Sequence, residues 1–170
     1  MLRLTTQDDR YRAHMRIVLA LCCVLAALPA SAQDTSFAAM QKRGKIAMGV
    51  DQYASVHVFD DFADGGRIEL QRDRDDSAGT RVIREHLRSV AKAFLAGDFS
   101  TPAYVHMKAV PGASTMAARR TAITYTVRDL PRGGELWIVS GDVDAVAAIH
   151  QFLAFQRDDH HTAGHPMRTP

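Results

Sequence analysis

The sequence predicts an α+β fold in which two β-β-α units form a four-stranded, mainly antiparallel sheet with two helices on one face. Three observations support this prediction. Two segments have apolar residues at helical spacing, four segments alternate between apolar and polar residues, and a Gly-Gly pair lies between the strands of each pair. Amphipathic helices and half-polar strands bury their apolar sides against each other, which gives two layers.

Residues 1–32 have the pattern of a secretory signal peptide. An apolar run over residues 17–28, too short to span a bilayer comfortably, follows a basic residue and precedes Ala30 and Ala32 at the small-x-small spacing of a cleavage site. Met15 is an alternative start, because the residues before it include two aspartates. We therefore expect a periplasmic or secreted protein that begins after Ala32 and has no membrane span after cleavage.

The composition of the mature chain excludes several kinds of site. Both cysteines, Cys22 and Cys23, lie in the leader, so the mature chain can form neither a disulfide nor a thiolate metal site. Acylation is the alternative for the leader, but Leu21 is not the small residue that lipoprotein processing needs before Cys22. After residue 32 there are 17 Lys plus Arg and 17 Asp plus Glu. This balance argues against a nucleic-acid partner, which needs a basic surplus on one face.

The first half of the mature chain predicts an arm and a hairpin. Alternating β-branched and aromatic residues indicate a strand in which His57 and Phe59 share one face, while Val56 and Val58 share the other. In chain order the predicted segments are an N-terminal arm (33–45) with a short helix ending at Gly44 and then, inside a single domain (46–157), a strand (54–59), a turn (63–66) and a second strand (67–72).

The central helix, predicted over residues 80–99, has the clearest periodicity. Its apolar residues recur at i, i+4, i+7 and i+11 and form one stripe: Ile83, Leu87, Val90 and Phe94. Thr80 is the predicted N-cap, and Gly97 is a residue that tolerates positive φ where a helix ends. His86 lies on or beside the apolar stripe, which makes it a candidate site residue.

The second half repeats the order strand, strand, helix. Its Gly-Gly pair and the Ile-x-x-x-Leu of its helix match those of the first half, so we predict a structural repeat, with chance similarity as the alternative. Ile149 and Leu153 form the apolar stripe of this helix, and Asp142 caps it. The predicted segments are an extended stretch (101–111), a short polar segment (116–120), a strand (121–128), a turn (131–134), a strand (135–140), a helix (143–156) and a disordered tail with three histidines (158–170).

Histidine is the residue type that could bind a metal. In an exported chain without cysteine, imidazole is the side chain best suited to copper or zinc. His57 and His86 can meet only if the helix covers the strand face that carries His57, and His106 follows on the return segment. These three are the predicted metal ligands, although none of them lies at a metal-motif spacing. The alternative is that each is a partly buried ring hydrogen-bonded to the backbone.

The sequence contains no motif that ties a nucleophile to a base. G-x-S-x-G is absent, and the glycine pairs precede strands, whereas phosphate-binding loops precede a helix. We therefore predict no catalytic and no cofactor-binding residue. The expected function is a non-catalytic binding or accessory module of the cell envelope, whose partner protein or small ligand meets the open sheet face. A His-based copper or zinc protein is the second candidate, and an enzyme of unknown class is the third.

A resemblance to a known group agrees with this compartment and architecture. The runs VHVF, GGRIELQ, IREHLRSVAKAFLAGDFSTPAYVH and RRTAITYTVRDLPRGGELWI resemble a group of small secreted bacterial proteins of unknown function that share this order over nearly the whole mature chain. Members are sometimes labelled aspartate carbamoyltransferase by automatic naming. The residues do not support that activity. Such transferases have an S-T-R-T-R phosphate loop, whereas here Ser100 and Thr101 are followed by Pro102, and the sequence also lacks an H-P-x-Q motif.

Export gives the first testable prediction. Mass spectrometry of the protein purified from its native cell should show that residues 1–32 are missing, because the signal pattern ends at Ala32. A mature form that retains residues 17–28 in a membrane would contradict it.

Overall fold

The computed structural model describes the backbone of residues 30–162 and the side chains of residues 36–162. The chain divides into a unit of residues 1–35 and a unit of residues 36–170. Of the first unit, only residues 30–35 are described, and they are helical. The predicted signal peptide therefore lies almost wholly outside the described residues, as does the end of the predicted tail. All contacts given below belong to the second unit.

Five α-helices and four strands make up the described part of the chain. Two 3₁₀ turns, Gln52–Ala54 and Arg120–Ala122, precede the two hairpins. In chain order the elements are α1 (Ala30–Met48), β1 (Ser55–Phe62), β2 (Gly65–Arg72), α2 (Ser77–Leu95), α3 (Ser100–His106), α4 (Ala113–Ala118), β3 (Ile123–Leu130), β4 (Gly133–Ser140) and α5 (Val143–His160). None of the described helices is long and apolar enough to span a membrane.

The four strands form one antiparallel sheet in the order β1-β2-β4-β3. The two hairpins therefore meet through β2 and β4, where Ile68 lies opposite Leu136. Phe59 and Val127 extend this row to the two edge strands. Because side chains opposite each other point to the same face, the row marks the face that the helices cover. The predicted α+β fold is confirmed.

Each long helix packs on the hairpin that it does not directly follow. Helix α2 contacts mainly β3 and β4, and α5 contacts mainly β1 and β2. Leu153 of α5 lies against Gly66, where a Cβ would overlap the leucine side chain, and Leu87 of α2 lies against Gly134. In each half, the leucine of the Ile-x-x-x-Leu pattern thus packs on the second glycine of the Gly-Gly pair in the other half. The two halves repeat in structure at the positions where their sequences match.

The helix boundaries correct several predictions. Asp76, not Thr80, caps α2: its side chain accepts a hydrogen bond from the Gly79 backbone N–H at 2.9 Å. The helix therefore begins three residues earlier than predicted and ends at Leu95. Asp142 caps α5 as predicted and accepts from the Ala145 N–H at 2.9 Å. Aspartate at either position satisfies a backbone donor that the first turn leaves free.

Two segments predicted to be irregular are helical. The prolines that flank the stretch 101–111 predict an extended chain, but residues 101–106 belong to α3. Pro102 lies in the first turn of this helix, where backbone N–H groups make no hydrogen bond within the helix, so a proline is tolerated there. Part of the segment 116–120, predicted to be polar, belongs to α4, and Met116 is fully buried.

Both ends of the domain are more ordered than predicted. Helix α1 runs four residues past the predicted stop at Gly44, and Met40 and Met48 are buried, so this part of the predicted arm is packed. Helix α5 runs through the start of the predicted disordered tail to His160.

The sheet face opposite the helices carries a charged cluster. Arg67 donates to Asp60 at 2.5 Å and to Glu135 at 3.0 Å, so its charge is matched within the sheet. Beside it, Trp137 stacks on Phe62 with ring centroids 5.1 Å apart. This open face is therefore a mixture of paired charges and one aromatic stack.

A charge on the α2 stripe should unfold the protein. Leu87→Asp places a carboxylate in the core, where an unpaired charge is too costly to keep, whereas Arg88→Ala removes an exposed ion pair with Asp129 (2.7 Å) and should cost less than about 1 kcal/mol. Urea denaturation followed by circular dichroism measures both. A folded Leu87→Asp protein of unchanged stability would mean that α2 does not pack as described.

Candidate functional site

A cavity of about 100 Å³ lies between the covered face of the sheet and the helices. Apolar side chains from β1, β2, α2 and α5, such as Phe59, Leu87 and Phe152, form most of its wall. Four imidazoles complete the wall, one from each of four elements: His57 of β1, His86 of α2, His106 of α3 and His160 of α5. The three histidines singled out in the sequence therefore line one cavity, together with a fourth.

His57 and His86 reach the cavity for the reason anticipated from the sequence. His57 shares the covered strand face with Phe59, and α2 packs above the same sheet. The His86 imidazole is also hydrogen-bonded to the backbone carbonyl of Ala47 in α1. His86 therefore combines a cavity position with the backbone hydrogen bond that the alternative interpretation expected.

His106 is the most firmly held of the four rings. It is 6% exposed, its Nδ1 is hydrogen-bonded to Asp159, and its Nε2 lies 3.0 Å from Gln156 Oε1. Lys108 donates to the other oxygen of Asp159 at 2.6 Å. Burial opposes the charge of Asp159, but the hydrogen bonds from Lys108 and His106 outweigh it and hold the pKa of this carboxyl below its usual range. Both nitrogens of His106 thus already have partners.

The sequence prediction missed His160, because it placed this residue in a disordered tail. The ring stacks on His57 with centroids 5.3 Å apart and meets His106 edge-on at 5.2 Å. A signal was available: from Ile149, the spacing i+4, i+7 and i+11 reaches Leu153, Gln156 and His160. This is the spacing of the α2 stripe, so continuing the period past Arg157 would have placed His160 on the inner face.

Burial lowers the pKa of three of these imidazoles, those of His57, His86 and His160. Burial, with a smaller contribution from His86, lowers the pKa of His57 to about 4. Burial and the neighbouring histidines lower the pKa of His160 to about 3. Burial also lowers the pKa of His86, against the effect of its hydrogen bond to Ala47. At these three places the wall is therefore polar without carrying charge at pH 7.

The arrangement is not a preformed metal site. Within residues 36–162, no group of three or more His, Cys, Asp or Glu side chains is placed to hold one ion. The His57 and His160 rings are stacked at an interplanar angle of 17°. Since imidazole lone pairs lie in the ring plane, stacked rings must turn before they can ligate one ion. The assignment of His57, His86 and His106 as ligands remains a prediction.

Two buried glutamines add hydrogen-bonding groups to the wall. Gln52 and Gln156 are only 7% and 5% exposed. Among the described residues, Gln52 Oε1 and Gln156 Nε2 have no hydrogen-bond partner. The amide of Gln52 lies so close to α1 that a Cβ on Gly44 would overlap it. Gln156 lies on the stripe that begins at Ile149, but nothing in the sequence marked Gln52, because its burial is revealed only by the fold.

The other described histidines lie away from the cavity wall. His150 Nε2 donates to the carbonyl oxygens of Phe62 (2.8 Å) and Gly65 (3.0 Å), which fixes the first hairpin to α5. His161 is exposed and stacks on Phe37. His165 lies outside the described residues.

Comparison with known proteins adds no relative to this picture. No protein-family model matches the chain, and neither a curated protein nor a solved structure matches it.

The lowered histidine pKa values predict a loss of stability in mild acid. The unfolded chain binds protons near the ordinary histidine pKa of 6.5, whereas folded His57 resists protonation down to about pH 4. The folded state is therefore fully favoured above pH 6.5 and loses stability as the pH falls toward 4. Between pH 7 and pH 5 the unfolding free energy should fall by about 1–3 kcal/mol.

Chemical denaturation at a series of pH values measures this effect. His57→Phe should make the profile less steep, since His160 and His86 still contribute, and His161→Gln, at an exposed position, should leave it unchanged. A wild-type profile that is flat between pH 7 and pH 5 would show that the cavity histidines are not buried in neutral form.

Proposed function

We propose that the protein is a non-catalytic binding module of the cell envelope that takes a small molecule into the cavity lined by His57, His86, His106 and His160. The observation that carries this proposal is the convergence of four imidazoles on one apolar-walled cavity. A cavity of about 100 Å³ destabilises a fold by about 2 kcal/mol. A bound molecule would restore the lost contacts, which favours a binding role.

Binding is favoured over catalysis by the state of the polar groups. Both nitrogens of His106 are engaged, by Asp159 and Gln156, so this ring is held rather than free to move protons. The wall contains one hydroxyl group, that of Thr101, and nothing among the described residues activates it. The envelope location rests on the signal pattern of residues 1–32.

The cavity is favoured over the open sheet face as the binding site. On the open face, Arg67 is already paired with Asp60 and Glu135, and Trp137 is stacked on Phe62. A partner there would gain little from groups that already satisfy one another. The cavity, in contrast, is enclosed by largely apolar side chains on which a small molecule could pack from several sides.

Binding of copper or zinc is the second candidate, favoured by the neutral state of the imidazoles. A metal ligand must be deprotonated, and His57 and His160 remain so well below pH 7. The rings would have to reorient, since they do not form a preformed site in residues 36–162. Calorimetric titration with Zn(II) and Cu(II) tests this candidate: tight uptake that His57→Phe abolishes would support it, and no uptake would exclude it.

The proposed cavity site is tested with benzene, a probe that needs only apolar space. Benzene should shift the imidazole Cε1–H NMR signals of His57 and His160, because both rings line the cavity. Val90→Phe, which fills the wall from α2, should abolish the shifts. Ser89→Phe adds the same ring at an exposed position on the same helix and serves as the matched control.

The outcomes decide whether the cavity binds small molecules. Saturable shifts in the wild type and in Ser89→Phe, but not in Val90→Phe, support the proposal. If neither benzene nor phenol perturbs the histidine signals of the folded protein, the cavity does not bind small molecules and the proposal fails.

A further inference from the structure

We infer that residues 36–48 of α1 form a movable lid over the histidine cavity, and that this lid lifts about a hinge at Gly49 to let the ligand enter and leave. This inference rests on the proposed function and describes how access to its site is controlled. Three observations support it: the lid lines the cavity, side chains hold it at a few points, and a glycine with positive φ follows it.

The lid forms one wall of the cavity, through Gly44, Ala47 and Met48. Together with the buried Met40 they follow the spacing i, i+4, i+7 and i+8, which places them on one face of the helix. Methionine side chains are flexible and adapt to a changed surface. Lys42, on the opposite face, is exposed. If α1 moved away, the cavity would therefore be open along this wall.

Most of the other walls belong to a scaffold whose main contacts do not involve α1. Helices α2 and α5 pack extensively on the strands, and the strands pair with one another. Among the described residues, α1 takes part in none of the element pairs that have extensive backbone contact. Displacement of the lid would therefore leave the sheet and its two long helices in place.

Polar and aromatic side chains hold the lid at three points. Arg43 Nε donates to the backbone carbonyl of Val105 in α3 at 2.7 Å. The His86 imidazole is hydrogen-bonded to the backbone of the lid, as described above. Phe37 stacks on His161 with ring centroids 4.3 Å apart. Local opening takes place where such attachments are few, so the lid can separate without unfolding of the domain.

A hinge follows the lid at Gly49. This residue has φ +82°, and its N–H donates to the carbonyl of Lys45 at 2.8 Å. Glycine adopts positive and negative φ about equally readily, so the chain can rotate here at low cost. Beyond the hinge, Val50 and Gln52 are buried and stay with the domain. After the predicted cleavage at Ala32, the backbone would join the lid to the domain on the hinge side alone.

Hydrogen exchange of the folded protein tests whether the lid opens. Backbone amides of residues 40–48 should exchange about tenfold faster or more than those of residues 83–94, because opening of the lid breaks few contacts whereas α2 belongs to the core. Arg43→Ala should speed exchange in the lid about tenfold, since it removes a hydrogen bond from a charged donor, and should leave α2 unchanged. Lys42→Ala, at an exposed position on the same helix, is the matched control.

Release of a probe tests whether the lid controls access. The dissociation rate of benzene, measured from the NMR line shapes of the His57 and His160 imidazole signals, should rise about tenfold in Arg43→Ala. It should stay unchanged in Lys42→Ala. Phe37→Ala removes a second attachment and should act in the same direction. This variant takes the place of Arg43→Ala if the latter does not fold.

Failure of this inference is distinguishable from failure of the proposed function. Equal protection of the lid and α2 from exchange would overturn the movable lid. Faster exchange of the lid in Arg43→Ala without faster release of benzene would overturn its control of access, while the cavity remained a binding site. If benzene binds neither the wild type nor Arg43→Ala, the proposed function itself fails, whatever hydrogen exchange shows of the lid.

Discussion

The fold depends on the packing of each long helix against the hairpin of the other half. Leu153 of α5 lies on Gly66 of the first hairpin, and Leu87 of α2 lies near Gly134 of the second. Neither β-β-α unit can bury its own apolar face, because the helix that follows each hairpin lies mainly over the other. The two hairpins are joined at the centre of the sheet by the pairing of β2 with β4. Each half therefore depends on the other to bury its apolar side.

The candidate site lies where the stripe of α2 continues with apolar residues but the stripe of α5 continues with polar ones. The α2 stripe ends in Val90 and Phe94, and Phe94 fills space against Phe99 with ring centroids 4.3 Å apart. The equivalent positions of α5 carry Gln156 and His160. Planar polar side chains pack less completely than aliphatic ones and require hydrogen-bond partners. At these positions α5 therefore contributes polar side chains to a cavity that the corresponding residues of α2, Val90 and Phe94, line with apolar ones.

Periodicity predicted what depends on local pattern and failed where tertiary packing decides. All four strands and both long helices follow from alternation and from the 3.6-residue stripe. Helix α3 was missed because a proline usually interrupts a helix, but Pro102 lies in the first turn, where proline is tolerated. His57 and His86 could be brought together by face and direction alone. His160 was missed because the tail looked polar, although the stripe that begins at Ile149 passes through Gln156 and reaches it. Gln52 could not be recognised, because an amide carries no sequence signal of burial.

The neutral imidazoles set how this site can discriminate. A charged wall attracts ions at long range, whereas buried imidazoles act only at hydrogen-bond distance and through shape. His86 and His106 are already tied to Ala47 and to Asp159, so much of the wall is preorganised before a ligand enters. Preorganisation lowers the entropy cost of binding, but a ligand small enough for a cavity of about 100 Å³ has few contacts to offer. If the proposed site binds a small molecule, selection would therefore rest on fit and hydrogen bonding, at moderate affinity.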